Sequence, residues 1–226
     1  MLDQILNSPF HVGLEAPFLL LVLVALEAVL SADNAIALAA ITQGLREPKL
    51  EKQALNIGLI IAYALRVSLI LCSQWVLRYW QFELLGGVYL LWLAYKHFSS
   101  PTDEDAQHQD PQFSSVWQAI PVIAFTDLAF SLDSVTTAIA ISDQLWLVLA
   151  GGTVGVITLR FMAGLFIRWL DEYVHLADAG YVTVALVGLR LLGKAFSDQI
   201  VPPEWLMILV VIAVFAWGFS QKRSPD

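Results

Sequence analysis

Two stretches of the chain resemble each other: residues 26–41 read LEAVLSADNAIALAAI, and residues 126–141 read TDLAFSLDSVTTAIAI. At an offset of 100 residues their polar positions coincide, in the pairs Glu27/Asp127, Ser31/Ser131 and Asp33/Asp133. Everything around these positions is almost entirely apolar, which is typical of a helix inside a membrane that carries a few functional groups. The two stretches therefore predict an internal repeat built around two acidic helices.

The composition agrees with a membrane location. Of the 226 residues, 58% are hydrophobic and only 14% are charged, whereas soluble domains are about half apolar and about a quarter charged. The apolar residues form blocks, most of them near the length of about 20 residues that crosses a bilayer as a helix. The blocks cover residues 17–43, 55–77, 84–98, 117–141, 145–168, 181–196 and 205–220. We expect an all-α membrane protein with seven transmembrane helices.

The repeat extends beyond the acidic helices. The second and third blocks of each half align at offsets of 94 and 98 residues, and Arg66 matches Arg160. Because each half has three spans, an odd number, the second half must enter the membrane from the opposite side. Repeat 1 (17–98) and repeat 2 (117–196) therefore predict an inverted repeat, which many secondary transporters use to build a site near the membrane midplane. The helix at 205–220 lies outside the repeat.

The loops predict the orientation. With the N-terminus outside, seven Lys and Arg residues fall in cytoplasmic segments and two, Arg78 and Lys194, fall outside, which satisfies the positive-inside rule. Residues 1–16 are then an extracytoplasmic segment and residues 221–226 a cytoplasmic tail. The acidic, Pro-interrupted stretch 99–116 is expected to be a solvated cytoplasmic linker.

Several classes of protein are excluded. A net charge of −8 offers no basic patch for nucleic acid, and the single cysteine, Cys72, allows neither an internal disulfide nor a thiolate metal cluster. No HExxH or GxSxG motif and no nucleotide-binding loop is present. We expect neither an enzyme nor, from this chain alone, an ATP-driven pump.

The charges inside the predicted spans require an explanation, because each costs about 2.5–3.5 kcal/mol at the bilayer centre. The acidic helices carry four carboxylates, Glu27, Asp33, Asp127 and Asp133, and Arg66 and Arg160 are the expected counter-charges. A set of buried ion pairs that lock the helices together is the structural alternative. Arg190, near a predicted helix end, is expected to extend to the interface.

Helical spacing groups some of these side chains. Glu27, Ser31 and Asn34 form one stripe of a helix, and Asp127, Ser131 and Ser134 form its counterpart. Asp33 and Asp133 fall about 100° off these stripes in a regular helix. All the oxygens would converge if both helices broke near Ser31 and Ser131, as transporter helices do at ion sites. Unbroken, packed helices are the alternative.

The ligand types predict what such a site binds. It offers carboxylate, amide and hydroxyl oxygens, which suit Mg²⁺, Ca²⁺ or Mn²⁺ better than Zn²⁺ or Cu⁺. Four carboxylates (−4), two arginines (+2) and one divalent cation (+2) sum to zero. The sequence therefore predicts a site for a hard divalent cation, without distinguishing the three metals.

The paired acidic segments, together with the Leu-Arg of the second and fifth spans, resemble the TerC family of integral membrane proteins, over about residues 14–220. The resemblance implies manganese efflux, in which several bacterial members are implicated, and a bacterial inner membrane; a related plant protein points to the thylakoid membrane as the alternative. The family's acidic positions correspond here to the metal-ligand set Glu27, Asp33, Asn34, Asp127, Asp133 and Ser134, with Ser31 and Ser131 as additional candidates.

The leading hypothesis is thus a secondary transporter that exports Mn²⁺. Proton antiport is the expected coupling, because an empty acidic site should take up protons. Mn²⁺ is then a transported substrate and no permanently bound cofactor is expected. The lipid bilayer and the metal are the expected partners. The alternative is a membrane-biogenesis or insertion factor without transport activity, in which the charges stabilise a scaffold.

Overall fold

A computed structural model describes residues 15–45, 47–76, 78–99, 113, 115–142, 144–197 and 201–223. These residues form eight helices: α1 (Glu15–Thr42), α2 (Pro48–Leu71), α3 (Ser73–Val76), α4 (Trp80–Ser99), α5 (Val116–Ile141), α6 (Leu145–Glu172), α7 (Leu176–Phe196) and α8 (Glu204–Gly218). The described part of the chain contains no strand, only an isolated bridge between Tyr173 and Lys222. The expectation of an all-α protein is confirmed.

The helices follow the predicted apolar blocks. Six of the seven blocks begin within five residues of the start of a helix, whereas α2 begins at Pro48, seven residues before the predicted start at 55. The residues between Pro48 and the predicted start are polar and charged, so the apolar pattern did not include them. They are helical nonetheless, because proline at the first helical position favours helix there. Most of the predicted N-terminal segment 1–16 and of the linker 99–116 lies outside the described residues.

Among the residues that the structure describes, four helices, α2, α5, α6 and α7, are long and apolar enough to cross a membrane. Two shorter apolar stretches, Pro17–Ala28 in α1 and Trp205–Gly218 in α8, accompany them. Large apolar side chains point outward, including Phe161, which is 76% exposed, and Ile60, which is 69% exposed. Such an apolar exterior is what lipid contact requires, and the chain is a multi-pass membrane protein.

Each half of the chain packs mainly on the other half. Helix α1 packs along α6, α2 along α5, and α4 along α7, while α1 and α5 also contact each other. Helix α1 further contacts α7, and α5 contacts α4 in the corresponding way. The two acidic helices, α1 and α5, consequently occupy the middle of the bundle, and α8 packs on the outside against α7.

The acidic helices are unbroken, so the structure has the second of the two arrangements considered above, packed helices without a break near Ser31 or Ser131. Helix α1 continues through residues 31–34 and α5 through residues 131–134. In α5 the hydroxyl of Ser131 donates to the carbonyl of Asp127 four residues earlier, at 2.7 Å, and Thr136 does the same towards Leu132, at 2.6 Å. The hydroxyls thus donate to carbonyl groups of the intact helix, and the helix does not open.

The segment that follows α8 folds back onto the C-terminal end of α6. The backbone of Val174 donates to the carbonyl of Gln221, and Arg223 donates to that of Glu172. Lys222 lies over the ring of Tyr173, with its ammonium 5.2 Å from the ring centre, and 3.7 Å from the carboxylate of Glu172. The Tyr173 hydroxyl and the Glu172 carboxylate raise the pKa of the Lys222 ammonium.

Candidate functional site

Two groups of charged residues lie between the helices. The central cluster consists of Glu27 on α1, Arg66 on α2, and Asp127 and Ser131 on α5. The flanking cluster consists of Asp133 on α5 with Arg190 and Lys194 on α7. Glu27, Asp127 and Asp133 are all buried. A buried carboxylate is stable only when it is paired or hydrogen-bonded, so the partners of these acids matter.

The guanidinium of Arg66 organises the central cluster. Its Nη1 pairs with Glu27 Oε1, its Nη2 lies 3.5 Å from Asp127 Oδ1, and its Nε donates to Ser131 Oγ at 2.8 Å. Arg66 is 1% exposed and Asp127 is fully buried. One cation thus bridges equivalent carboxylates from the two repeats.

The bridging is uneven. Glu27 makes a direct hydrogen bond to Arg66, whereas Asp127 Oδ1 and Arg66 Nη2 remain without a hydrogen-bond partner among the described residues. An ion pair at 3.5 Å is longer than the 2.7–2.9 Å typical of a charge-assisted hydrogen bond. Two buried polar atoms that lack a hydrogen bond among the described residues thus face each other here.

Helix α6 comes close enough to hold Glu27 in place. A Cβ atom on Gly155 would lie 2.1 Å from Glu27 Cγ, so the α1–α6 contact requires glycine at this position. The hydroxyl of Ser31 lies 3.5 Å from the carbonyl of Gly155, one turn further along α1. Gly155 is a functional position that the motif analysis missed, since a glycine in an apolar helix carries no distinctive sequence signal.

The flanking cluster was not predicted. Arg190 Nη1 lies 2.9 Å from Asp133 Oδ2, and Lys194 Nζ pairs with Asp133 Oδ1. The expectation that Arg190 extends to the interface is wrong, because its side chain is 8% exposed and turned to α5. Lys194 belongs to the last turn of α7, within the predicted block 181–196.

A sequence signal for this cluster did exist. Arg190 and Lys194 are four residues apart and share one face of a helix. Side chains lean towards the N-terminus of their helix, so a basic residue in the last turn of α7 reaches back into the bundle. Asp133, about 100° away from the stripe of Asp127, faces this second partner because α5 does not break.

The remaining predicted ligands are Asn34, Ser134 and Asp33, and the structure describes the side chains of the first two only. Asn34 and Ser134 are both buried at 4% exposure, and the Ser134 hydroxyl has no hydrogen-bond partner among the described residues. The side chain of Asp33 lies outside the described part of the structure. The described residues contain no group of three or more His, Cys, Asp or Glu side chains close enough to hold a metal together.

Arg160, expected to pair with a carboxylate as Arg66 does, has a different environment. Its Nε donates to Asn56 Oδ1 on α2, at the periphery of the bundle. Counted as ionised, the described groups of the central cluster sum to −2 + 1 = −1 and those of the flanking cluster to −1 + 2 = +1. Among the described side chains, Arg190 and Lys194 of α7 therefore neutralise a carboxylate where Arg160 does not.

In the described part of the chain, several helices are apolar enough to cross a membrane and charged side chains are buried between them, which defines a polytopic membrane protein. The chain belongs to the TerC family of integral membrane proteins, whose sequence profile matches residues 12–224.

Individual relatives cover most of the chain. It is 33% identical over 223 residues to the membrane protein YceF of Bacillus subtilis (strain 168), covering 96% of this chain and 84% of YceF. The membrane protein YkoY of the same organism is 31% identical, covering 94% of this chain and 75% of YkoY. The inner membrane protein YgdQ of Escherichia coli (strain K12) is 27% identical, covering 88% and 91%. No solved structure matches the chain.

Proposed function

We propose that this protein is a secondary transporter that exports a hard divalent cation, in the first place Mn²⁺, in exchange for protons. The observation that carries the proposal is the convergence of Glu27 and Asp127, equivalent acids of the two repeats, on the single cation Arg66 inside the bundle. A scaffold would not need two buried carboxylates for one arginine. Oxygen ligands suit Mn²⁺, Ca²⁺ and Mg²⁺ alike, and the choice of Mn²⁺ follows the family resemblance.

The proposed architecture has seven spans, as two inverted three-helix repeats and a C-terminal helix, with the N-terminus outside and the C-terminus in the cytoplasm. The packing between the two repeats supports it. Helix α1 packs on α6 in the way that its counterpart α5 packs on α2, as a two-fold relation between the repeats requires. End-to-end contacts support it as well. Gln43 donates to Asp171 at 3.3 Å and His97 lies 2.8 Å from Asp178, and all four residues are assigned to the cytoplasmic ends.

In the proposed mechanism the transported cation competes with basic side chains for the same carboxylates. Glu27 and Asp127 face each other across Arg66, and a divalent cation between them would displace that guanidinium. The Ser134 hydroxyl and the Asn34 amide supply neutral oxygens close along the same helices. When the cation leaves, Arg66 returns or the carboxylates take up protons, because desolvation and a neighbouring like charge both favour the neutral acid.

Flux measurements in proteoliposomes test this function. The purified protein should transport Mn²⁺, compared with Ca²⁺ and Mg²⁺ at one pH. Glu27→Gln and Asp127→Asn should each lower the flux about tenfold or more, because a hydrogen bond or ligand contact to a charged group is worth about 1.5–3 kcal/mol. Glu172→Gln and Asp171→Asn, which remove exposed acids at the end of α6, are matched controls with normal flux.

The same preparation separates the alternatives. Internal pH recorded with the membrane potential clamped should change in the direction opposite to Mn²⁺ movement, and flux without proton movement would rule out antiport. If no metal moves while the cells lacking the protein show altered membrane-protein content, the biogenesis factor is the better function.

A further inference from the structure

A groove that the transport proposal does not use runs between α2 and α6. It encloses a cavity of about 530 Å³, within the range of roughly 300–1,000 Å³ that small-molecule sites occupy. Its walls are mainly apolar, and Asn56, Tyr63, Thr153, Ile157, Arg160 and Phe161 are among its lining residues. Ile157 is 52% exposed and Phe161 76% exposed. The groove therefore opens sideways, to the surface that faces lipid.

The polar groups of the groove are distributed unequally. At one level the hydroxyls of Tyr63 and Thr153 lie 2.9 Å apart and satisfy each other. At the other level Arg160 donates its Nε–H to Asn56 Oδ1. Within the described part of the chain Arg160 makes no ion pair, in contrast to its repeat counterpart Arg66, which contacts two carboxylates. A charged arginine in an apolar, lipid-facing groove is costly unless it pairs with an anion.

The depth of Arg160 fits a lipid headgroup. Its partner Asn56 lies four residues beyond Lys52, which is about 6 Å along a helix axis. The first turns of α2 carry Glu47, Lys49, Glu51 and Lys52, and these charges mark the membrane interface. The guanidinium is thus about one helical turn inside that interface, while the Tyr63 level of the groove is two further turns towards the membrane centre.

We propose that the groove binds an anionic phospholipid. Its phosphate accepts hydrogen bonds from the two terminal nitrogens of Arg160 and from the amide nitrogen of Asn56, whose oxygen is already used by Arg160. Guanidinium binds phosphate through two parallel hydrogen bonds. One acyl chain lies along the apolar walls between Ile60 and Ile157. Basic pockets between transmembrane helices on the cytoplasmic side bind anionic headgroups in this manner.

Lipid retention by the purified full-length protein tests the proposal. Detergent-solubilised protein is equilibrated with phosphatidylglycerol or with phosphatidylcholine of the same acyl chains, and bound lipids are counted by native mass spectrometry. The wild type should retain phosphatidylglycerol preferentially, and Arg160→Gln should reduce that retention about tenfold, the loss expected for a charged hydrogen bond. Arg168→Gln removes an exposed arginine of the same helix outside the groove and should behave like the wild type.

A second variant separates a lipid from a free anion. Ile157→Trp fills the groove but leaves Arg160 in place, and it should lower phosphatidylglycerol retention too, whereas Leu165→Trp, on the exposed surface of α6 outside the groove, should not. Inorganic phosphate at millimolar concentration should not displace the lipid. Equal retention of both lipids by the wild type, unchanged retention in Arg160→Gln, or unchanged retention in Ile157→Trp would overturn the proposal.

Discussion

At the scale of single residues, the two repeat-related arginines have opposite environments. Arg66 is buried between two carboxylates, while Arg160 lies at the periphery with a neutral partner. Alignment of the two repeats treats these arginines as equivalent, because it compares only their positions in the sequence. It does not show which of the two contacts the acidic residues in the folded protein. An inverted-repeat transporter would be expected to show such asymmetry whenever it is open to one side.

This asymmetry predicts that removing the Arg66 side chain destabilises the protein more than removing that of Arg160. Arg66→Ala should lower the free energy of unfolding by about 3–5 kcal/mol, because it leaves two buried carboxylates without a counter-charge. Arg160→Ala should cost about 1 kcal/mol or less, as expected for a peripheral contact exposed to its surroundings. Thermal unfolding of both variants in the same detergent measures the difference. Equal destabilisation would mean that Arg160 also neutralises an acid.

Gly155 provides a test of how closely Glu27 is held. A Cβ at this position would overlap Glu27, at 2.1 Å from Cγ and 2.8 Å from Oε1. Gly155→Ala should therefore displace Glu27 from Arg66, lowering both the melting temperature and the Mn²⁺ flux. Gly152→Ala is the matched control on the same helix, because its Cβ would meet its nearest neighbours, Ile70 and Arg66, at 3.5 and 3.8 Å. Similar behaviour of the two variants would contradict the close contact.

At the scale of helices, the sequence predicted the elements well and their internal geometry less well. Apolar block length is set by the bilayer, so helix positions follow from composition. Whether a helix breaks at Ser131 depends on a local competition that the residue types alone do not decide. The hydroxyl can bond to the carbonyl of Asp127 or replace the helix's own hydrogen bond, and the structure has the first arrangement.

The unbroken geometry of α5 makes Asp133 a link to α7. Asp133→Asn removes the carboxylate that contacts both Arg190 and Lys194, so it should destabilise the α5–α7 contact. Adding Lys194→Gln should recover part of the loss, and the double-mutant cycle should show a coupling of about 0.5–3 kcal/mol. Additive effects in thermal unfolding would show that the two residues do not interact.

At the scale of the whole molecule, the proposed architecture rests on the odd number of spans in each repeat. Equivalent loops of the two repeats must then lie on opposite sides of the membrane. Glu47, the N-cap of α2, and Gln144, the N-cap of α6, occupy corresponding positions and are both exposed. Their locations distinguish an inverted repeat from a parallel one, which would place both on the same side.

Cysteine labelling measures those locations. The single native cysteine is first removed by Cys72→Ser, since Cys72 is exposed and would itself react. In intact cells, a membrane-impermeant maleimide should then label the Gln144→Cys variant, because the positive-inside count places this loop outside. The Glu47→Cys variant should react only after the membrane is permeabilised. Labelling of both variants from the same side would refute the inverted repeat, and the reverse pattern would keep the repeat but invert the orientation.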